Sequence, residues 1–371
     1  MPLSRLVAFG VLWLAVVVVV VPVLPRPGEL GASRSAREAP VTTLPPATAP
    51  PVVHDFTEAL QSVVDAASSA WAMPEVARLN VPDRALAPRV APPPPSSNDG
   101  LQPVTVSARL AAPASPAEPT APPPPGVTAS AAVVIDDASL AVLYGKREHE
   151  RRGPASLTKL ATAALAVQLG DLHATVESTV DSREMPGSSL MGVLPGDSYS
   201  LEDLLYGMLL VSGNDAARVI ARDIAGTEAR FVHWMNEMCR RIGLEDTRFV
   251  DPHGLGGAGH YSSAFDMALL ARYAMQFEDI ARISATRDWI TSGSRPIALH
   301  NFVNGFLTSY PGAEGLKTGF TTEAGPTFVG AATRDGHRLY VVLLNSEDRF
   351  GEAAALLDWA FDSHAWPARP R

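Results

Sequence analysis

Residues 326–344, PTFVGAATRDGHRLYVVLL, carry two strand patterns, Pro326–Thr333 and Leu339–Leu344, and what they pair with decides the fold. A matching pair, Ala131–Ile135 and Ala141–Tyr144, opens the globular part and is joined by a turn through Asp136-Asp137-Ala138-Ser139. Between the two pairs the apolar spacing is helical over Leu157–Leu169, Leu201–Leu210, Ala216–Ile224, Arg230–Ile242 and Ala264–Met275, and Glu352–Phe361 closes as a further helix. Strands at both ends of a helical middle predict an α+β fold whose antiparallel sheet is made from both termini. The alternation of a doubly wound sheet is absent.

Outward from this unit the composition changes. Of 33 prolines, 22 lie between Pro25 and Pro125. A stretch so rich in Pro, Ala, Ser and Thr has too little apolar surface to order itself, so residues 25–126 are expected to be a semi-rigid, disordered spacer. One interruption, Asp55–Ala72, has helical periodicity and reads as a short docking or transient helix. Ahead of the spacer, Leu6–Leu24 is 19 residues without a charge. As a helix it would span about 28 Å, close to the ~30 Å hydrocarbon core. It is longer than an ordinary signal-peptide apolar region and no small-residue cleavage site follows. Residues 1–24 are therefore expected to be an anchor or signal segment that places the rest outside the cytoplasm, anchored to the cell membrane or secreted. Arg26, Arg34 and Arg37 follow the span and blur its orientation.

Net charge is −9 with no basic block, which argues against nucleic acid as a partner. The lone Cys239 permits no internal disulfide and reads as a buried hydrophobe among Trp234, Met235 and Met238. The nine histidines form no ligand-spaced cluster, so no metal and no cofactor are expected.

Lysine usage is the sharpest feature. The chain has 27 arginines and three lysines: Lys146, Lys159 and Lys317. Lysine offers what arginine does not, an amine that loses its proton when desolvated. Lys159 stands in Ser156-Leu157-Thr158-Lys159 at the start of an apolar helix, three residues from a hydroxyl and so on the same face. Burial would lower its proton affinity and let it activate Ser156 as a nucleophile. Lys317-Thr318-Gly319 is expected at the start of an edge strand, where a cation, a hydroxyl and a bare backbone suit a carboxylate. Ser212-Gly213-Asn214 follows an apolar helix and can aim a hydroxyl and an amide into a cleft. Each element alone is weak: Ser-x-x-Lys arises by chance roughly once in a chain of this length.

In this order, 56 and 105 residues apart, the three motifs match the penicillin-recognising serine enzymes. PASLTKLATA, GDSYSLEDLLYGMLLVSGNDAARVIA, DPHGL, HYSSAFDMALLARYA and GLKTGFTTEAG resemble the D-alanyl-D-alanine carboxypeptidases among the low-molecular-mass penicillin-binding proteins. The resemblance covers about residues 127–365 and implies a β-lactamase/transpeptidase-like fold with a helical subdomain set into the sheet. It implies that Ser156 forms the acyl-enzyme, Lys159 is its base and Ser212 relays a proton to the leaving amine. Asn214 would hold a substrate amide. Lys317 and Thr318 would hold the terminal carboxylate, with Lys317 lending positive potential beside Gly319. The N–H groups of Ser156 and Phe320 would form the oxyanion hole. The implied substrates are peptidoglycan stem peptides, and β-lactam antibiotics the acylating inhibitors.

Rival readings are a D,D-endopeptidase using the same residues and a penicillin-binding sensor without turnover. A class A β-lactamase would want Asp at position 213, where Gly stands, and a Glu-bearing loop where TRFVDPHGL stands. Gly254–Gly259 fits G-x-G-x-x-G, but no strand precedes it and no helix opens from it. Ser263-Ala264-Phe265-Asp266 reads as a capping box. Many relatives carry a β-rich domain and an amphipathic helix after the catalytic unit. About fifty residues follow Lys317, so attachment is expected through the N-terminal span instead.

Overall fold

The computed structural model describes residues 123–366, so the apolar span, segment 55–72 and all but the last four residues of the 25–126 stretch lie outside the described residues. Among the described residues no helix is long and apolar enough to cross a membrane.

The apolar run at Ala131–Asp136 forms β1, and Val142–Lys146 returns as β2. A 3-10 turn, Ala155–Thr158, leads into helix α1, Lys159–Leu169. A short hairpin pairs β3, Thr175–Glu177, with β4, Ser198–Ser200. Helices α2 (Leu201–Leu210), α3 (Asn214–Ala225), α4 (Glu228–Arg241), α5 (Ala264–Ala274) and α6 (Glu278–Ala285) follow. A second hairpin, β5 (Asp288–Ile290) and β6 (Ala298–His300), precedes α7, Asn304–Ser309. Strands β7 (Ala313–Thr321), β8 (Gly325–Arg334) and β9 (His337–Leu344) then form a meander, and α8, Arg349–Ser363, closes the unit.

The principal sheet has the order β2-β1-β9-β8-β7, and all its pairs are antiparallel. The first strand lies beside the last: Ala131 pairs with Leu344 and Val133 with Val342. This is the sheet made from both ends that the sequence pattern implies. Every residue of β1 is buried because both sheet faces are covered. Successive side chains point to opposite faces. Val133, Ile135, Val342 and Leu344 pack towards the helical middle, while Ala132, Val134, Val341 and Leu343 pack with Leu356, Leu357 and Ala360 of α8. The strands therefore read as near-continuous apolar runs rather than strict alternation.

Three expectations need adjusting. The helix expected from Leu157 begins only at Lys159, because the preceding four residues are wound more tightly. Strand β7 starts at Ala313, four residues before Lys317, so the lysine sits mid-strand; the strand is an edge, as expected. The capping box at Ser263 is half made. Ser263 Oγ accepts from Asp266 N–H, but the Asp266 carboxylate turns to Asp246 N–H and Thr247 Oγ1.

Candidate active site

Ser156 lies on the 3-10 turn and Lys159 opens α1, so the hydroxyl and the amine sit on consecutive windings of one face. Lys159 is fully buried. Its Nζ lies 2.9 Å from Ser156 Oγ, 2.6 Å from Asn214 Oδ1 and 2.6 Å from the His253 carbonyl oxygen. Asn214 Oδ1 and the His253 oxygen can only accept. A neutral amine has two hydrogens and one lone pair, so the hydrogens satisfy those acceptors and the lone pair is left for the Ser156 hydroxyl. Burial lowers the amine's pKa to about 7, against the upward pull of the Asp251 and Asp215 carboxylates. The group therefore changes charge near physiological pH.

Ser212 stands between α2 and α3, and Asn214 is the first residue of α3. Both are buried. The turn is held from behind by Asp215, whose carboxylate accepts from the N–H groups of Met191, Gly192, Val193 and Ala216. At Gly213 a Cβ would lie 3.0 Å from the Gly207 oxygen and 3.0 Å from Met191 N, so the aspartate of a class A β-lactamase would be crowded there.

Lys317, Thr318, Gly319 and Phe320 lie on β7. A Cβ at Gly319 would be 2.4 Å from Thr327 Oγ1 and 2.8 Å from Ser156 N, so the bare backbone lets the edge strand approach the Ser156 amide. Lys317 is fully buried and its Nζ donates to the Thr318 oxygen at 2.8 Å. Burial, then the Lys159 and Arg349 charges, push its pKa well below the ordinary lysine value. The expected source of positive potential is thus an amine biased towards neutrality, and a carboxylate bound beside it would restore the charge. Phe320 is 64% exposed and lines a cavity of about 490 Å³ with Pro326, Glu347, Asp348, Arg349 and Phe350.

Backbone strain marks the same places. Ala155, Ser212 and Leu316 have φ of 51°, 62° and 121°, a region costly for residues with a Cβ. They precede Ser156, are the second motif's serine, and precede Lys317.

Three contributors escaped the motif reading. The 251–256 loop is organised by Asp251, which accepts from the N–H groups of His253, Gly254 and Gly256. Burial alone would raise the Asp251 pKa, but His253, the Gly254 N–H and further partners outweigh it and hold the carboxylate ionised. The loop docks on α1 through Thr162 Oγ1, which donates to the Pro252 oxygen, and through Lys159. Gly254 packs so closely that a Cβ would lie 1.9 Å from the Ala155 oxygen. The second contributor is His260, bonded to Thr158. The third is Arg349, whose Nη1 lies 3.5 Å from the Gly319 oxygen. The DPHGL string was the one visible sign of the loop. The Asn214 side-chain oxygen accepts from Lys159, which leaves its Nδ2 as the group available to a substrate.

Residues 118–348 match the family model described as D-alanyl-D-alanine carboxypeptidase. The chain is 33% identical over 246 residues to D-alanyl-D-alanine carboxypeptidase DacF of Bacillus subtilis, covering 64% of this chain and 63% of that one. It is 36% identical over 237 residues to DacB2 of Mycobacterium tuberculosis, covering 62% of this chain and 81% of that one. The match spans just under two thirds of the length of DacF of Bacillus subtilis and of DacD of Escherichia coli, at 63% and 65%. Among solved structures, the Streptomyces K15 DD-transpeptidase superposes with a TM-score of 0.62 at 28% identity, over 65% of this chain and 99% of that one. A penicillin-binding protein homologue from Mycobacterium tuberculosis gives 0.62 at 33% identity, over 68% and 98%. The fold is therefore the transpeptidase-like one.

Proposed function

The chain belongs to the D-alanyl-D-alanine carboxypeptidase family, and from that premise we propose that it is a serine D,D-carboxypeptidase removing the terminal D-alanine from peptidoglycan stem peptides. The observation that carries this reading is the desolvated Lys159 amine, held by two acceptors with its lone pair towards Ser156. Lys159 Nζ takes the Ser156 proton as Oγ attacks the penultimate D-alanine carbonyl. The oxyanion is received by the N–H groups of Ser156 and Phe320, donors of a kind worth about 3–4 kcal/mol each. Ser212 passes a proton to the leaving D-alanine amine, the C–N bond breaks, and water later cleaves the ester to free Ser156. Lys317, Thr318 and Arg349 form the carboxylate end of the site, and the bare Gly319 keeps β7 within reach of the peptide. Asn214 Nδ2 is left to hold a substrate amide once Oδ1 is engaged with Lys159.

β-Lactams present a carboxylate and a strained amide to the same groups and would acylate the same hydroxyl. The unit 127–365 would act outside the cytoplasm, tethered by residues 1–24 across the 25–126 spacer. The deciding experiment combines D-alanine release from a pentapeptide with a labelled penicillin and peptide mapping. Label on the Ser156 peptide, and D-alanine released by wild type but not by Ser156→Ala, is the expected result. Label on Ser212, or rapid β-lactam hydrolysis with no adduct, would sink the reading.

A further inference from the structure

Behind the nucleophile runs a relay of hydrogen bonds that none of these steps uses. Val250 N–H donates to His260 Nδ1 at 3.2 Å. A backbone amide can only donate, so Nδ1 carries no hydrogen and the ring's own hydrogen is on Nε2. Nε2 lies 2.8 Å from Thr158 Oγ1, which in turn donates to the Ala155 carbonyl at 2.8 Å. Both side chains are buried. Burial lowers the His260 pKa, with Asp251 pulling it up and Lys159 pushing it down, in keeping with the neutral ring the bonding requires.

What matters is where the relay ends. The Ala155 carbonyl and the Ser156 N–H are the two ends of one peptide group, which is planar and stiff. Fixing the oxygen fixes the direction of the N–H on the other side. The residue at its carbonyl end is itself strained, Ala155 having a φ of 51°. Its two ends face different partners. A Cβ built on Gly254 would fall 1.9 Å from the Ala155 oxygen, and one built on Gly319 would fall 2.8 Å from Ser156 N. The carbonyl thus looks towards the 251–256 loop and the amide towards β7.

We propose that His260 is a positioning residue for the oxyanion hole: through Thr158 it locks the Ala155–Ser156 peptide plane, so that the Ser156 N–H stays aimed at the developing oxyanion. The imidazole itself touches Val250 and Thr158, one acceptor nitrogen to the first and one donor nitrogen to the second. Glutamine has the same complement, an acceptor oxygen and a donor nitrogen, whereas alanine has neither.

The proposal rests on the carboxypeptidase reading, and its test separates the two. The variants are Thr158→Val, His260→Ala, the two combined, His260→Gln and Thr158→Ser, all measured in the full chain. The readouts are the penicillin acylation rate constant, the pre-covalent dissociation constant, and affinity for an acyl-D-alanine boronic acid, whose tetrahedral adduct places an oxygen in the hole. Thr158→Val and His260→Ala should each lower the acylation rate and boronate affinity in parallel, by roughly 10- to 100-fold, a tilted donor being less damaging than a deleted one. The pre-covalent constant should stay within about threefold, since uniform binding is untouched. The double variant should be no worse than the worse single, and His260→Gln and Thr158→Ser should recover most of the loss. Unchanged acylation and boronate affinity in folded Thr158→Val overturns the proposal, as do additive losses in the double variant. If His260→Ala fails to fold, Thr158→Val set against Thr158→Ser and His260→Gln decides alone. A wild type that forms no adduct and binds no boronate overturns the underlying reading as well.

Discussion

The backbone carbonyl of His253 accepts a 2.6 Å hydrogen bond from Lys159 Nζ, joining residues 94 apart in sequence. With Asn214 on the other hydrogen, the amine is fixed so that its remaining valence faces Ser156. A guanidinium in this space stays protonated near neutral pH and has no lone pair to offer. Lys159→Arg is expected to cut penicillin acylation by at least about a hundredfold, in line with general-base contributions. Stopped-flow or gel-based labelling checks this. A rate above about a tenth of wild type would remove Lys159 as the base.

The same amine sets a pH dependence. Its pKa is lowered to about 7, first by burial. The neutral form is the active one, so the acylation rate should rise as pH climbs through about 7 and level off above. Below that, the ammonium cannot accept the Ser156 proton. Asp251 favours the ammonium, so Asp251→Asn should move the midpoint down. A pH–rate profile of the acylation constant for both proteins tests the sign. An upward shift in the variant would contradict this account of the amine.

Lys317 is a buried amine whose neighbouring charges, Lys159 and Arg349, are both of its own sign. Such a group weakens the folded state unless a carboxylate arrives. Lys317→Met keeps the aliphatic stem and drops the amine, so it should raise thermal stability by about 1 kcal/mol, as removals of functional strain commonly do. It should also raise KM for peptides ending in a free D-alanine carboxylate by at least tenfold, and alter a carboxamide-terminated analogue far less. Thermal melts and steady-state kinetics check the pair of effects together.

Gly319→Ala puts a methyl 2.8 Å from Ser156 N and 2.4 Å from Thr327 Oγ1. Thr327 can rotate, but the Ser156 backbone cannot yield without moving the nucleophile. The expected outcome is a loss of about 1–3 kcal/mol in stability, typical of overpacking, and at least a hundredfold loss of acylation. Gly305→Ala is the control, because its methyl would meet Phe350 at an ordinary 3.4 Å and should be neutral or slightly stabilising.

A chain beginning at Gly126 should be soluble, folded and acylated at the wild-type rate. Among the described residues the first long-range ties come after that point: the Val127 carbonyl accepts from Lys146 Nζ, the N–H groups of Thr128 and Ala129 bond Glu352, and β1 enters the sheet at Ala131. Circular dichroism and labelling with a penicillin are the measurements. Unfolding of this shortened chain would make the preceding segment part of the fold.

What the sequence made legible depended on how local the signal was. The long helices could be placed because each carries its own period, the long strands because each is a sustained apolar run, and Ser156 and Lys159 because three residues separate them on one helical face. The hairpins β3–β4 and β5–β6 were missed, since three-residue strands are too short to show alternation. The role of the 251–256 loop was hidden for another reason. It acts through backbone carbonyls of Pro252 and His253, and a carbonyl leaves no trace in residue identity. Arg349 was one of 27 arginines until the fold set it beside Gly319. The partner of Asn214 could not be read either, because an amide oxygen suits a lysine as well as a substrate.

The pairing of Ala131 with Leu344 also has a consequence for the order in which the protein comes into being. The ribosome delivers β1 early, yet its neighbour β9 is among the last strands made, so β1 must wait with one edge open. Contacts this distant in sequence form slowly, and open edges invite wrong partners in the meantime. The nucleophile's turn is synthesised long before β7, the strand that completes its pocket. A nascent chain therefore holds Ser156 and Lys159 without Lys317, and reactivity should switch on only after β7 has been made and has joined the sheet.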